Sequence, residues 1–430
     1  MKRLTLIAVA ALSLTACQND QLADSSSPFE MKSTSAEYLT ASALPVTTVS
    51  GAITSNTTWS GVVELDGIVT VKNGATLTIQ PGTFIKAKPS ANNTATGVLV
   101  IAKTGKINAA GTEAQPIIFT SYKLLDGNED TTAAPGDFGG VVILGDAPTN
   151  TPFTKTIEGL SGPDFYYGGT NASHNGGTLK YVRIEFAGYD LLAPNSGNEI
   201  NGLTLGGVGN GTTLDHIQVS FGKDDSFEFF GGTVNASNLV SFAADDDNFD
   251  FDNGYTGTIT CALALADYNS THSLSVASPD SNGIELDNNA EGSSTTLLTH
   301  PVINNLTIIG AKNSSKGVLY ENGIHIRRHG RLTLNNAVVT GYPVGIKVEG
   351  TGSELSSASA YSTIQVHGFT TSVTGTGTAG IPAANLATGT PAALWGMSQP
   401  FFNEGGWNVS PRNCGNFQGL WTKYNFSIVE

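Results

Sequence analysis

Asp224-Asp225-Ser226-Phe227-Glu228-Phe229-Phe230 recurs 22 residues further on as Asp246-Asp247-Asn248-Phe249-Asp250-Phe251-Asp252. Ile217 upstream matches Leu239 at the same offset. Asn322-Gly323-Ile324-His325-Ile326-Arg327 and Val344-Gly345-Ile346-Lys347-Val348-Glu349 repeat the alternation with the same 22-residue step. Asn282-Gly283-Ile284-Glu285-Leu286-Asp287 is a further copy, and Asn201-Gly202-Leu203-Thr204-Leu205 a weaker one. A second strand type precedes several of these, at residues 179–184, 214–219 and 334–339. A unit of this length with two or three short strands is one coil of a β-solenoid, which cannot bury its apolar positions until neighbours stack on it. The expected fold is all-β: a right-handed parallel β-helix. Leucine-rich repeats are of similar length, but their L-x-x-L-x-L-x-x-N string is missing. An antiparallel sandwich does not account for repeated coils.

Side chains alternate along a strand, so the register assigns faces. Phe227/Phe229, Phe249/Phe251, Ile284/Leu286, Ile324/Ile326 and Ile346/Val348 point inward. Glu228, Asp250, Glu285, His325 and Lys347 then form one outward column. Asp252, Asp287, Arg327 and Glu349 form the adjacent one.

Composition agrees with strands and turns. Glycine accounts for 51 of 430 residues and charged residues for only 13%, while short β-branched runs are punctuated by Gly, Asn and Asp. No segment sustains a 3.6-residue apolar period. Residues 18–44 are Ser/Thr/Ala-rich and read as a flexible tether, residues 45–370 as the β-helix, and 371–430 as a loop and C-terminal cap packed on it. The aromatics Trp395, Phe401, Phe402, Trp407, Phe417, Trp421, Tyr424 and Phe426 suit a cover for the open end of the solenoid. A sugar-stacking platform is the other reading of that tail.

The first seventeen residues carry a basic start, Lys2-Arg3, and an apolar stretch from Leu4 to Leu14 that is too short to span a bilayer. Leu14-Thr15-Ala16-Cys17 resembles the lipobox of bacterial lipoprotein precursors, which implies cleavage after residue 16 and lipidation of Cys17. Gln18 in place of Asp implies, by resemblance to Gram-negative lipoproteins, sorting to the outer membrane. The partner so implied is outer-membrane lipid, on the periplasmic or the cell-surface face. The formal charge is −15, and loss of the leader makes the chain more acidic still, which argues against nucleic acid and anionic lipid surfaces. Beyond Cys17 there are Cys261 and Cys414. An oxidising compartment permits a bridge between them, and two buried thiols are equally compatible with the sequence.

Five strings (GATLTIQPGT at 74–83, GDFGGVVILGDAPTN at 136–150, NEINGLTLGGVG at 198–209, FEFFGGTVN at 227–235 and DDDNFDFDNGYTG at 245–257) together resemble a family of bacterial outer-membrane lipoproteins with β-helix repeats, of the leptospiral outer-membrane lipoprotein type. The resemblance covers residues 50–430 and implies the fold and the location. It implies no catalytic residues, and only the lipidation of Cys17 carries over.

Two constellations could carry chemistry. Asp224, Asp225 and Glu228 sit one coil below Asp246, Asp247, Asp250 and Asp252. Carboxylates about 4.8 Å apart on stacked coils repel unless a cation lies between them, and calcium takes six to eight oxygens in flexible geometry. The alternative is that these acids cap turns or accept backbone hydrogen bonds. The second group is basic: His325, Arg327, Arg328 and Lys347, which with Glu285 and Asp287 make a face running from acid to base. That face suits an acidic polysaccharide. Cross-coil pairing, Asp287 with Arg327 and Arg327 with Glu349, is the plainer reading. A Ser-His-Asp arrangement lacks its G-x-S-x-G elbow, no H-E-x-x-H occurs, and the G-H-G and R-I-K strings of β-helix pectin hydrolases are missing. The expectation is an outer-membrane-anchored lipoprotein presenting a β-helical surface for ligand, glycan or partner binding, alone or beside an outer-membrane transporter. The competing class is a calcium-dependent polysaccharide lyase.

Overall fold

The computed structural model describes residues 31–32, 36–89, 97–128, 130–189, 191, 200–266, 274–275, 278–294, 297–317, 320–390, 411–424 and 427–428. The leader and Cys17 lie outside them, as do Trp395, Phe401, Phe402, Trp407 and Phe426. Among the described residues no helix is long and apolar enough to cross a membrane.

Strands wind into coils with three parallel sheets. The first sheet stacks Val98–Ile101, Gly140–Leu144, Leu203–Val208, Phe227–Gly232, Phe249–Asp252, Ile284–Leu286, Asn322–Ile326 and the end of Arg331–Val348. The second and third sheets share long strands, Gly177–Glu185, Thr213–Ser220, Ala236–Phe242, Thr258–Leu265 and Val302–Ile309, which bend from one to the other. The bend falls on one residue per coil with positive φ: Tyr181, His216, Asn238, Cys261, Asn305 and Asn336. Asn tolerates this left-handed conformation best among residues with a side chain. The other three are the ones that make contacts across the molecule, described below.

Phe227 lies in register with Phe249 and Phe229 with Phe251; each pair stacks inside the coil, with ring centroids 5.2 and 5.1 Å apart. Glycine in the Asn-Gly strings answers to the third sheet. A Cβ on Gly202, Gly283 or Gly323 would lie 2.3, 2.6 or 2.4 Å from a methyl of Val219, Ile308 or Val339. In the two acidic coils Ser226 and Asn248 take the glycine's place, and the facing residues shrink to Ser241 and Ala264. Ser241 then bonds both, at 2.7 Å each. Gly323→Ala should therefore cost about 1–3 kcal/mol as overpacking, read as a lower denaturation midpoint; an unchanged midpoint would mean that this contact is soft.

Both chain ends cover the outer face of the third sheet. Residues Ala36–Ser42 form a short helix, α1, where the sequence suggested only flexible tether. Its Tyr38 is fully buried and donates to Glu185 at 2.6 Å, and its Glu37 accepts from Arg183 at 2.9 Å. Seven residues do not make a stable helix alone, so burial of Tyr38 holds it. The segment 411–424 runs along the flank. Arg412 donates to Gln365, Cys414 is disulfide-bonded to Cys261, Tyr424 packs edge-on to Phe242, and Trp421 packs on His216 and Tyr181. Met31 and Ile428 pair as antiparallel strands. The described part of the tail is thus a lateral strap rather than a cover for the open end, because its aromatics find their apolar partners on the flank. The solenoid also runs past residue 370: Ile364–Thr374 continues the coils, and Leu386–Thr388 pairs parallel with it.

Candidate functional site

The outward column of the first sheet is continuous. Glu228, Asp250, Glu285, His325 and Lys347 are successive register partners. Going the other way, the column continues through Thr204, Val142 and Val100. The stripe therefore runs apolar, acidic, basic. Its apolar end is buried. Residues 145–176, between Gly140–Leu144 and Gly177–Glu185, fold over the sheet and place Ile157, Leu160 and Tyr167 on Val100, Val142, Leu144 and Phe230. The unbroken apolar runs Val98–Ile101 and Gly140–Leu144 signal strands buried on both faces, a signal that the sequence reading passed over. Tyr167 and Glu158 of this excursion reach the charge field of Glu228. Glu228 and His325, expected to point into solvent, are only 9% and 3% exposed.

At the corner before each strand runs a ladder of side chains. Asp225 Oδ1 accepts from the Asp247 amide at 2.8 Å, and Asp247 Oδ1 from the Asn282 amide at 2.5 Å. Asn282 Oδ1 in turn accepts from the Asn322 amide at 3.1 Å. Asp225, Asp247, Asn282 and Asn322 are therefore rungs of one structural element. An amide oxygen suffices on the Asn282 rung and a carboxylate stands on the Asp225 and Asp247 rungs, while Asn322 closes the ladder as a donor through its backbone amide.

Those carboxylates are crowded. The oxygens of Asp224, Asp225 and Asp246 lie within 4.8 Å of one another, as do those of Asp225, Glu228 and Asp250. Of the seven acids singled out by the sequence, five fall in these two triads. Asp247 and Asp252 do not: Asp247 is committed to the ladder, and Asp252 accepts from the Asn253 amide at 2.6 Å. Burial, and next the charge of neighbouring acids, pushes Asp225, Glu228, Asp247 and Asp250 well above the usual carboxylate range. The same causes, with Asp287 the strongest of the neighbouring charges, push Asp252 up to about 7. Glu228 accepts from Asn201, while Asp250 Oδ1 is buried with no hydrogen-bond partner among the described residues. The donor set is all oxygen, as a hard cation requires.

The basic end is internally compensated. Arg327 bonds both Glu285 and Asp287, and Arg328 bonds Asp287. Arg327 does not reach Glu349 as the sequence suggested; Glu349 instead takes Lys347 at 2.7 Å and His325 Nε2 at 2.9 Å. The sequence could not decide this, because the reach of a long side chain depends on its rotamer. Burial pushes the His325 imidazole down to about 4, against the pull of Glu349, so it is neutral at pH 7.

The sequence profile described as a pectate-lyase-like β-helix domain matches residues 51–393. No curated relative matches the chain. Among solved structures, the catalytic domain of a GH87 alpha-1,3-glucanase, in complex with tetrasaccharides, is similar at 11% identity and a TM-score of 0.26. The match covers 80% of this chain and 63% of that one, so this chain spans about three fifths of its length. At that superposition the likeness carries no argument about activity. The three-sheet coils and a profile that spans most of their length agree, and the chain belongs to the pectate-lyase-like β-helix family.

Proposed function

We propose that this protein is an exported, lipid-anchored glycan-binding β-helix, which holds an acidic polysaccharide against the first sheet through a divalent cation. Calcium suits the donors. Asp225, Glu228 and Asp250, with Asp224 and Asp246, would hold it, and it would neutralise their charge and bridge to the ligand's carboxylates. Arg327, Arg328 and Lys347, at the other end of the stripe, would meet the same ligand by exchanging their partners Glu285, Asp287 and Glu349 for its carboxylates. Anchoring through Cys17 at the outer membrane, beside a transporter or alone, belongs to the same proposal.

One observation carries the reading. Asp225 and Asp247 occupy ladder rungs that Asn282 fills equally well. An acid there adds buried like charge that the fold does not need, and buried charge is costly unless it is paired. The unpartnered Oδ1 of Asp250 points the same way. A lyase would need a base able to lose its proton. Arg327 fits that poorly, because Glu285 and Asp287 push its guanidinium further up despite burial.

Full-length protein should bind polygalacturonate in calcium and lose most of that binding in chelator, without binding neutral dextran or releasing unsaturated uronates. Calcium-independent binding would remove the cation from the proposal. Release of unsaturated products would replace it with the lyase.

A further inference from the structure

We infer that the Cys261–Cys414 disulfide is a redox-opened latch, holding the C-terminal strap and, through the strap, the N-terminal helix α1 on the third sheet. Three contacts link the parts in series. The disulfide ties the strap to the strand Thr258–Leu265. Further along, Lys423 is fixed by two backbone bonds to Gln218, each 2.7 Å. The Lys423 ammonium then lies 3.3 Å from Glu37 and 5.2 Å from the Tyr38 ring, both on α1.

The network beneath depends on that cover. Arg183 and Glu185 are 2% and 1% exposed, and both bond to α1. A buried ion pair of this kind holds a short helix well only while water is kept out. When the strap leaves, α1 loses one of its two cations and part of its cover, and so short a helix does not persist undocked.

The residues under the strap support a built interface. At the left-handed corner between the second and third sheets Asn is the ready choice, and Asn238, Asn305 and Asn336 follow it. Tyr181, His216 and Cys261 depart from it, and these are the three that meet the strap: Tyr181 and His216 pack against Trp421, and Cys261 bonds Cys414. Left-handed backbone at a residue other than Gly or Asn costs energy, here offset by docking.

Cys414 is partly exposed and Cys261 buried, so a dithiol reductant attacks at Cys414. The protein S–S bond breaks, both cysteines become thiols, and the reductant is oxidised to its own disulfide.

The test is limited proteolysis of the folded full chain with an enzyme that cleaves after Glu, following the bond after Glu37, with and without dithiothreitol. The expected result is cleavage there about tenfold faster on reduction, since cleavage follows the population of the open form, with β-sheet circular dichroism unchanged. Cys414→Ser should reproduce this without reductant. Lys423→Met should expose Glu37 while the disulfide and the backbone bonds to Gln218 stay intact, because it removes the third contact, the ammonium on Glu37. Overturning results are continued protection of Glu37 after reduction, or strap cleavage after Arg412 and Lys423 in a parallel tryptic digest of the reduced protein while the Glu37 bond stays protected. None of these outcomes depends on glycan or cation binding.

Discussion

In chelator, the melting temperature of the protein is expected to fall as pH rises from 5 to 8. Asp225, Glu228, Asp247, Asp250 and Asp252 are all held above the ordinary carboxylate range, Asp252 up to about 7. Between the unfolded value near 4 and these raised values, the folded chain binds more protons than the unfolded one. Stability is then full below the unfolded value and lost as pH climbs through the folded ones, at roughly 1.4 kcal/mol per pH unit for each extra proton. Glu349 works in the opposite sense: its hydrogen bonds from Lys347 and His325 lower it to about 2, so its contribution disappears only in acid below pH 4. The optimum should therefore lie near pH 4. A divalent cation replaces the protons and should flatten the alkaline limb, with its largest effect at pH 8. A melting temperature indifferent to pH between 5 and 8 would mean that the acids are solvated and carry no site.

The second expectation concerns Asp225, tested with two substitutions. Asp225→Asn keeps an oxygen for the Asp247 amide, as Asn282 does for Asn322, and removes a charge from both triads. In chelator at pH 8 it should stabilise by about 1–3 kcal/mol, the scale of relieved burial. It should also lose the cation response, which is about 2.7 kcal/mol when ligand stands at a hundred times its dissociation constant. Asp225→Ala loses the charge and leaves the Asp247 amide unbonded, so about 1–3 kcal/mol is returned. Calorimetry of the pair with and without calcium separates ladder from cation. If both variants keep the full calcium shift, Asp225 is a rung and nothing more.

The coil repeat and the column it stacks were legible because period and alternation are local: two side chains 22 positions apart share a face once the strands are parallel. Phe227 over Phe249 and Glu228 over Asp250 follow from that alone. What lies above the column was not legible. Residues 145–176 return over Val142 and Phe230 through tertiary packing that no repeat announces. The ladder was legible in part: the sequence allowed these acids to accept backbone hydrogen bonds, as Asp225 and Asp247 do. That Asn282 continues the same ladder was not legible, because Asp247 and Asn282 differ in charge and share only an acceptor oxygen. Helix α1 escaped because seven residues show little period, and its stability comes from Tyr38 and Glu37 meeting a distant strand.

The rungs have a consequence for how such a surface changes. An acceptor oxygen is all that a rung asks for, so acid and amide are interchangeable there as far as architecture is concerned. Negative charge can then be added to or withdrawn from one edge of the molecule, coil by coil, without redesigning what lies beneath. Neighbouring members of such a lineage could diverge in what they hold while remaining superimposable in backbone.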